Sequence, residues 1–381
     1  MKIAIIVPGG VDRSGEYRVI PALLALIARL SKRDEVHVFA LHQETRPASW
    51  DLVGARIHNI GVGRTNARAV RAIFTEHGLS AFHVIHSIWS GAPGFVAVVA
   101  ARILRLPSLI HVAGGELIGL REIGYGGGLH WKGRLREAMV LRAATVVTAA
   151  SAAMVESLAR LGIVAQRLPL GVDLEVWRTR EPSRRDPGNP ARLIHVASLN
   201  RVKDQPTLLR ALASLSELGV EFRMDIVGED TLQGEIQALA VQLGLSGRVQ
   251  FHGFLTQRAL FPLVRNAHLM MMSSKHEAGP LAVLEAGVAG VPTVGTAVGH
   301  IAEWAPHAAA AVPVGDWSAM AKAAADVLGD ENFRLSMAGQ AQRLAVQEDA
   351  DYTAQRFRGI YQSVASPRGA PKNAPDADAR S

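Results

Sequence analysis

Short apolar runs alternate with helix-length amphipathic stretches along this chain, and that alternation leaves few folds open. In the first half Ile3 to Val7, Val36 to Leu41, Phe82 to Ile88, Pro107 to Val112 and Thr145 to Thr148 read as strands. Between them Arg18 to Leu30, Ala67 to His77, Phe95 to Leu104 and Ser151 to Leu161 read as helices. The second half repeats the pattern, with strands at Leu193 to Ala197, Phe222 to Val227, Val249 to Phe251 and Leu269 to Met272. Its helices fall at Gln205 to Leu218, Leu232 to Leu243 and Ala282 to Ala289. In the first of these, Leu208, Leu209, Leu212, Leu215 and Leu218 recur every three or four residues and make one apolar face. The pattern predicts α/β layers built on parallel sheets.

At 381 residues the chain exceeds one ordinary core, and two domains are expected. The stretch RTREPSRRDPGNPAR combines Pro, Gly and charge without periodicity, as an exposed connection does. It divides a domain over 1–178 from one over 192–350, with 179–191 as linker. Residues 351–365, with Tyr352 to Val364 at their centre, read as a last helix. The tail 366–381, opening at Ser366, is rich in Pro and Ala and polar, and is expected to be disordered.

Composition excludes several classes. With no Cys there is no thiol catalysis, disulfide or zinc thiolate site. No apolar run approaches the roughly 20 residues of a membrane span, and the opening MKIAIIVPGG is too short for a signal h-region, so a cytoplasmic protein is expected. The net charge of +7 is unevenly spread: residues 1–180 hold 22 Lys+Arg against 13 Asp+Glu, so the basicity belongs to the first half. The cations are scattered and match no nucleic-acid motif, which favours an anionic lipid surface or a phosphorylated acceptor over nucleic acid.

The segment SSKHEAGPLAVLEAGVAGVPTVGTAVGHIAE, 273–303, carries the chemistry. Two carboxylates, Glu277 and Glu285, flank a Gly279-Pro280 turn that opens a helix, since Pro suits the first helical position. Leu269 to Met272 reads as a buried strand leading in, so Glu277 stands at a strand's carboxyl end, where open α/β sheets bind ligands. A helix N-terminus there attracts phosphate. Glu285 falls within an otherwise apolar helix, where an unpaired carboxylate is costly.

Two Glu separated by seven residues, in this setting, resemble the donor-sugar motif of family-4 glycosyltransferases, and five further segments match in the same order. The resemblance implies a GT-B architecture, two Rossmann-like domains with parallel sheets facing across a cleft, and a last helix that crosses back to the first domain. It implies transfer of a sugar from a nucleoside-diphosphate sugar, with retention at the anomeric carbon and no cofactor. The acceptor it implies is a saccharide, a lipid-linked saccharide or a small molecule, bound by the first domain while the second holds the donor.

Individual residues follow from that likeness. In HVASLNRVKDQPTLL the residues Ser198, Arg201 and Lys203 occupy the loop after a strand, and the two cations would stabilise charge growing on the leaving diphosphate. Taken alone, the same loop reads as two solvated charges. Glu285 maps onto the ribose-binding Glu and Glu277 onto the one beside the transferred sugar. The usual Gly-Phe-Gly-Leu after the first Glu is replaced by Ala278, Gly279, Pro280 and Leu281, and Pro280 removes one backbone donor. Gly228 permits close approach at a strand end. His252, Gly253 and Phe254 fall where the base is recognised, and His252 alone could equally be a half-buried structural histidine.

In the first domain PGGVDRSGEYR is not Gly-x-Gly-x-x-Gly, which argues against a dinucleotide site. It resembles the family's first loop, placing Gly15 and Glu16 near phosphates or acceptor. HVAGGELIGL departs from the family: aligned on Gly114 and Glu116, it has Ala113 where many relatives have His. His111 lies deeper on the same face, and Glu116 is the remaining polar candidate. GLHWKGRLREAMVLRAA puts Trp131, Lys132, Arg134, Arg136 and Arg142 on or beside a helix, either a membrane-surface element or an ordinary solvated face. No Asp or His cluster with metal-ligand spacing follows a strand, and a metal-independent reaction is expected. A nucleotide-sugar epimerase and a non-catalytic nucleotide-sugar-binding protein are the alternatives.

Overall fold

The computed structural model describes residues 1–365; the tail from Ser366 lies outside the described residues. Its first sheet has eight strands: β1 (Lys2–Val7), β2 (Glu35–Ala40), β3 (Ala48–Leu52), β4 (Ala55–Asn59), β5 (Val84–Ile88), β6 (Ser108–Val112), β7 (Val146–Ala149) and β8 (Gln166–Arg167). They run in the order β3-β4-β2-β1-β5-β6-β7-β8. All pair in parallel except β3 with β4. Helices α1 (Pro21–Ser31), α2 (Thr65–Leu79), α3 (Ala92–Leu104), α4 (Trp131–Ala143) and α5 (Ala152–Arg160) connect them.

The second sheet is wholly parallel. Its strands are β9 (Ala191–Val196), β10 (Phe222–Val227), β11 (Val249–Gly253), β12 (Leu269–Met272), β13 (Thr293–Thr296) and β14 (Ala309–Val312), in the order β11-β10-β9-β12-β13-β14. Around it lie α6 (Gln205–Glu217), α7 (Glu235–Gln242), α8 (Gln257–Asn266), α9 (Leu281–Val288), α10 (Gly299–Trp304), α11 (Trp317–Gly329) and α12 (Glu331–Gln347), followed by α13 (Ala350–Ala365). The central strands are largely apolar because helices bury both faces, one core lying on each side of each sheet.

Two sequence expectations need correction. The hairpin β3–β4 was not expected, because ASWDL and ARIHN are mostly polar. An antiparallel edge needs only alternate apolar residues, and Trp50 and Ile57 supply them. At the start of α9, Pro280 is not the first helical residue but the N-cap, with ψ of 113°, and the helix begins at Leu281.

α13 returns to the first domain, where Phe357 and Tyr361 are fully buried and the Tyr361 hydroxyl meets His86 Nδ1 at 2.7 Å. The chain segment before the linker docks against the start of this helix. Gly171 N–H donates to Thr353 Oγ1, Thr353 Oγ1 donates to the Pro169 carbonyl, and Ala350 N–H donates to the Val172 carbonyl. A Cβ at Gly171 would run into the backbone of Glu348 and Asp349, so only glycine fits. Arg29 ties the assembly to Asp173 and Asp351. Arg167 bridges Glu303 and Glu348, and Glu303 also accepts the Ala152 N–H at the start of α5.

Candidate active site

β12 delivers the chain into the cleft between the two sheets. The Thr296 hydroxyl fixes the Ser274 carbonyl at 2.6 Å, and Ser273 Oγ donates to the Lys203 carbonyl at 2.8 Å. The first bond ties the loop after β12 to the end of β13, and the second ties it to the loop after β9. Glu277, mostly buried, then accepts from Lys203 Nζ at 2.6 Å and from Ser274 Oγ at 2.6 Å. Sequence reasoning gave Lys203 and Glu277 separate tasks; the structure brings them into one ion pair.

Arg201 does not join that pair. It is 58% exposed and donates to Glu235 Oε2 at 3.1 Å, on the flank of a shallow cavity shared with Ile123, Gly124 and Tyr125. An exposed pair of this kind is weak and easily exchanged for another anion.

Glu285 lies on α9, buried, with Gln257 Nε2 donating to Oε1 at 3.0 Å. Burial outweighs that bond and pushes its carboxyl up to about 7. It lines a cavity of about 290 Å³ between the domains, together with Gly15, Glu16, Thr256, Arg258 and Leu281. The structure therefore gathers Gly15, Glu16, Leu281 and Glu285 around one space. Phe254, half exposed, faces Tyr17 of the first domain with ring centroids 6.1 Å apart. Gly253 takes a left-handed φ of 67°, and its carbonyl accepts from Gly228 N–H at 2.9 Å. A Cβ at Gly228 would strike the Ala197 carbonyl. Ser198, exposed, is held by Gln205 through its carbonyl at 3.1 Å. A Cβ at Gly279 would come within 3.0 Å of His300 Nε2 and 3.1 Å of Ala150 Cβ, so a side chain there needs its neighbours to shift. His252, partly buried, is tied to Asp225 at 2.7 Å.

Across the cleft stands Glu116. Its Oε1 accepts from Ser90 N–H at 3.2 Å, while Oε2 is sealed off without a partner. Burial, aided by the Glu137 carboxylate nearby, pushes it up to about 7. The Trp89 ring and Glu116 Oε2 crowd Gly114, where a Cβ would come within 3.1 Å and 3.0 Å of them. Tyr125 lies against Gly115, its hydroxyl raised by burial and by both Glu277 and Glu116, so a carboxylate from each domain is within electrostatic reach of it. His276 Nε2 approaches the Gly114 carbonyl at 3.4 Å. His111, by contrast, is core: fully buried, bonded to Thr148 Oγ1 at 2.9 Å and packed on Phe357.

Trp89, Tyr125, Gln257 and His276 were missed from sequence. Trp89 had a signal, since it follows a strand's carboxyl end before Ser-Gly, and its φ of 76° is strained for a bulky residue. The others are placed only by tertiary packing.

Two carboxyls held near pH 7 have a stability consequence. Because each folded-state pKa lies above the unfolded value, the folded protein holds the extra proton between about pH 4.5 and 7. Stability of the free protein should fall across that window. Glu285→Gln should raise stability at pH 8 by on the order of 1–3 kcal/mol, read by denaturant titration. No gain at pH 8 would mean that the carboxylate is already compensated.

The architecture is GT-B: two parallel-sheet α/β domains with a carboxylate- and lysine-lined cleft between them. The chain matches the model "Glycosyl transferase 4-like domain" over residues 19–171 and "Glycosyl transferases group 1" over 178–344. Together these make it a glycosyltransferase of the group 1, family-4-like kind. It is 27% identical over 309 residues to EpsF of Bacillus subtilis (strain 168), provisionally a glycosyltransferase, covering 75% of this chain and 76% of that one. It is 29% identical over 223 residues to the D-inositol 3-phosphate glycosyltransferase of Corynebacterium urealyticum, covering 54% and 52%. Among solved structures, sucrose-phosphate synthase from Thermosynechococcus elongatus shares the fold with a TM-score of 0.80 at 17% identity, over 95% of this chain and 99% of that one. HepE of Anabaena in complex with UDP-glucose gives 0.72 at 20% identity, over 95% and 100%.

Proposed function

We propose that this protein moves a sugar from a nucleoside-diphosphate sugar to a saccharide, lipid-linked or small-molecule acceptor, with retention and without a cofactor. The observation that carries this reading is the Lys203–Glu277 pair at one wall of a cleft whose other wall is Glu116 and Tyr125. Lys203 supplies positive charge where the leaving diphosphate gains negative charge, and Arg201 joins it by exchanging Glu235 for phosphate. Glu285 accepts from ribose hydroxyls in the cavity it lines. Glu277 orients the transferred sugar while holding Lys203. Glu116 receives an acceptor hydroxyl from the first domain; near neutral pH it exchanges between acid and carboxylate and so can donate or accept.

A screen of UDP, GDP and ADP sugars by thermal shift tests the donor half, UDP sugars first, because a donor that binds the folded state raises the melting temperature. Sugar transfer should survive EDTA, the cationic side chains replacing the divalent ion used elsewhere. Loss of transfer in EDTA with recovery in Mn²⁺ would contradict the metal-free reading.

The same proposal places the protein at the inner face of the cytoplasmic membrane. No helix among the described residues is long and apolar enough to cross one. α4 instead exposes Trp131, Leu135 and Met139, four residues apart and therefore on one stripe, each more than half exposed. Lys132, Arg134 and Arg136 flank the stripe, the pairing that anionic lipid recognises. The protein should sediment with anionic vesicles at low salt and be released as salt rises. Binding that ignores lipid charge, or none, would remove the membrane from the account.

A further inference from the structure

The edge of the first sheet carries a cluster that sugar transfer does not use. His37 on β2 and His58 on β4 point toward α2, Phe39 standing opposite His58 in the register. Their rings lie within 12° of parallel, and His37 Nδ1 meets His58 Nε2 at 3.0 Å. Glu76, on α2, brings its carboxylate to 3.6 Å from His37 Nδ1 and 3.9 Å from His58 Nδ1. One ligand atom from each of the three lies within 4.8 Å of the others.

The proton count explains why this is more than packing. His37 Nε2 is 2.9 Å from Glu35 Oε1, which also receives Lys2 Nζ at 3.3 Å. A carboxylate in that place keeps the proton on Nε2, leaving the lone pair of His37 Nδ1 aimed inward. Neutral His58 has one proton to share. On Nε2 it serves His37, and the bare Nδ1 then faces the Glu76 carboxylate. On Nδ1 it serves Glu76, and two lone pairs then face each other. With both rings neutral, acceptors oppose one another either way; a second proton on His37 would relieve this, and so does a metal cation that all three groups ligate.

We propose that His37, His58 and Glu76 bind a divalent transition-metal ion of the zinc type, with Glu35 as the outer carboxylate that orients His37. Two imidazoles and a carboxylate form an established zinc ligand set, with the fourth position left to water. Zinc–nitrogen bonds of about 2.0–2.1 Å in tetrahedral geometry need the nitrogens roughly 3.3 Å apart, so the two nitrogens, 3.0 Å apart, must separate by about 0.3 Å and the rings must turn to bring both lone pairs onto the ion. The ligands lie at 37, 58 and 76, on two strands and a helix, so the ion fastens the β2–β4 pair to α2. Sugar transfer does not pass through this site.

The test is zinc titration of the EDTA-stripped, dialysed full chain by calorimetry, with thermal melting in parallel. One equivalent should bind and raise the melting temperature. His58→Gln and Glu76→Gln should each weaken binding at least about tenfold, and Glu35→Gln by about 10- to 100-fold through the outer carboxylate. His130→Gln, at an exposed histidine, should change nothing. If a ligand variant fails to fold, Glu35→Gln and the zinc-dependent melting of the unmodified chain still decide. No zinc-dependent rise in melting temperature, or equal affinity in all variants, overturns the site. Transfer activity of the stripped protein is a separate readout, so failure here leaves the proposed reaction standing.

Discussion

Lys203→Ala should lower turnover by about 10²- to 10³-fold, the usual consequence of removing one preorganised group that stabilises transition-state charge. Its ammonium is the basic group fastened to Glu277, and the loop that carries it is pinned by Ser273, so its charge is held in place before the donor arrives. Arg201→Ala should cost less, because Arg201 must first leave Glu235 to contribute. The two variants are separated by kcat measured at saturating donor. Near-normal turnover of Lys203→Ala would show that the diphosphate lies elsewhere.

Glu285→Ala should act on binding instead. Hydrogen bonds from ribose hydroxyls to a buried carboxylate are worth about 1.5–3 kcal/mol, so donor affinity should fall roughly 10- to 150-fold. Calorimetry with the intact donor and with its nucleoside diphosphate should show the same loss for both, because the ribose is common to them. A loss confined to the sugar would move Glu285 to the transferred hexose. The free variant should nevertheless be no less stable above pH 7, since the burial that holds Glu285 up at about 7 opposes its charge. Weaker binding in an undamaged fold separates a site residue from a structural one.

The alternation of apolar runs and amphipathic helices was enough to read the α/β layers, because strands buried on both faces need no pattern beyond hydrophobicity. It was not enough for β3 and β4, whose pairing depends on Trp50 and Ile57 meeting across a hairpin. The Glu277/Glu285 pair was legible because the turn, strand and helix that place it are contiguous. What Lys203 does with Glu277 was not, since residues 74 apart meet only when two loops are bonded together. Trp89 and Tyr125 are a similar case: they enter the cleft through the close approaches at Gly114 and Gly115, which sequence shows only as two glycines. His111 was placed correctly below the surface, but its partner Phe357 comes from the returning helix α13, beyond the reach of strand alternation. His37, His58 and Glu76 went unseen for the same reason, lying on three separate elements.

The anomeric configuration of the product tests the account most directly. Among the described residues neither cleft carboxylate stands free as a nucleophile: Glu277 is engaged by Lys203 and Ser274, and Glu116 belongs to the first domain, where it accepts from Ser90 N–H. Attack from the face that the diphosphate leaves requires the two walls only to hold donor and acceptor together. With an α-linked nucleoside-diphosphate sugar, NMR of the product should therefore show an α-glycoside. A β-glycoside would contradict same-face attack and require a general base on the opposite side of the sugar.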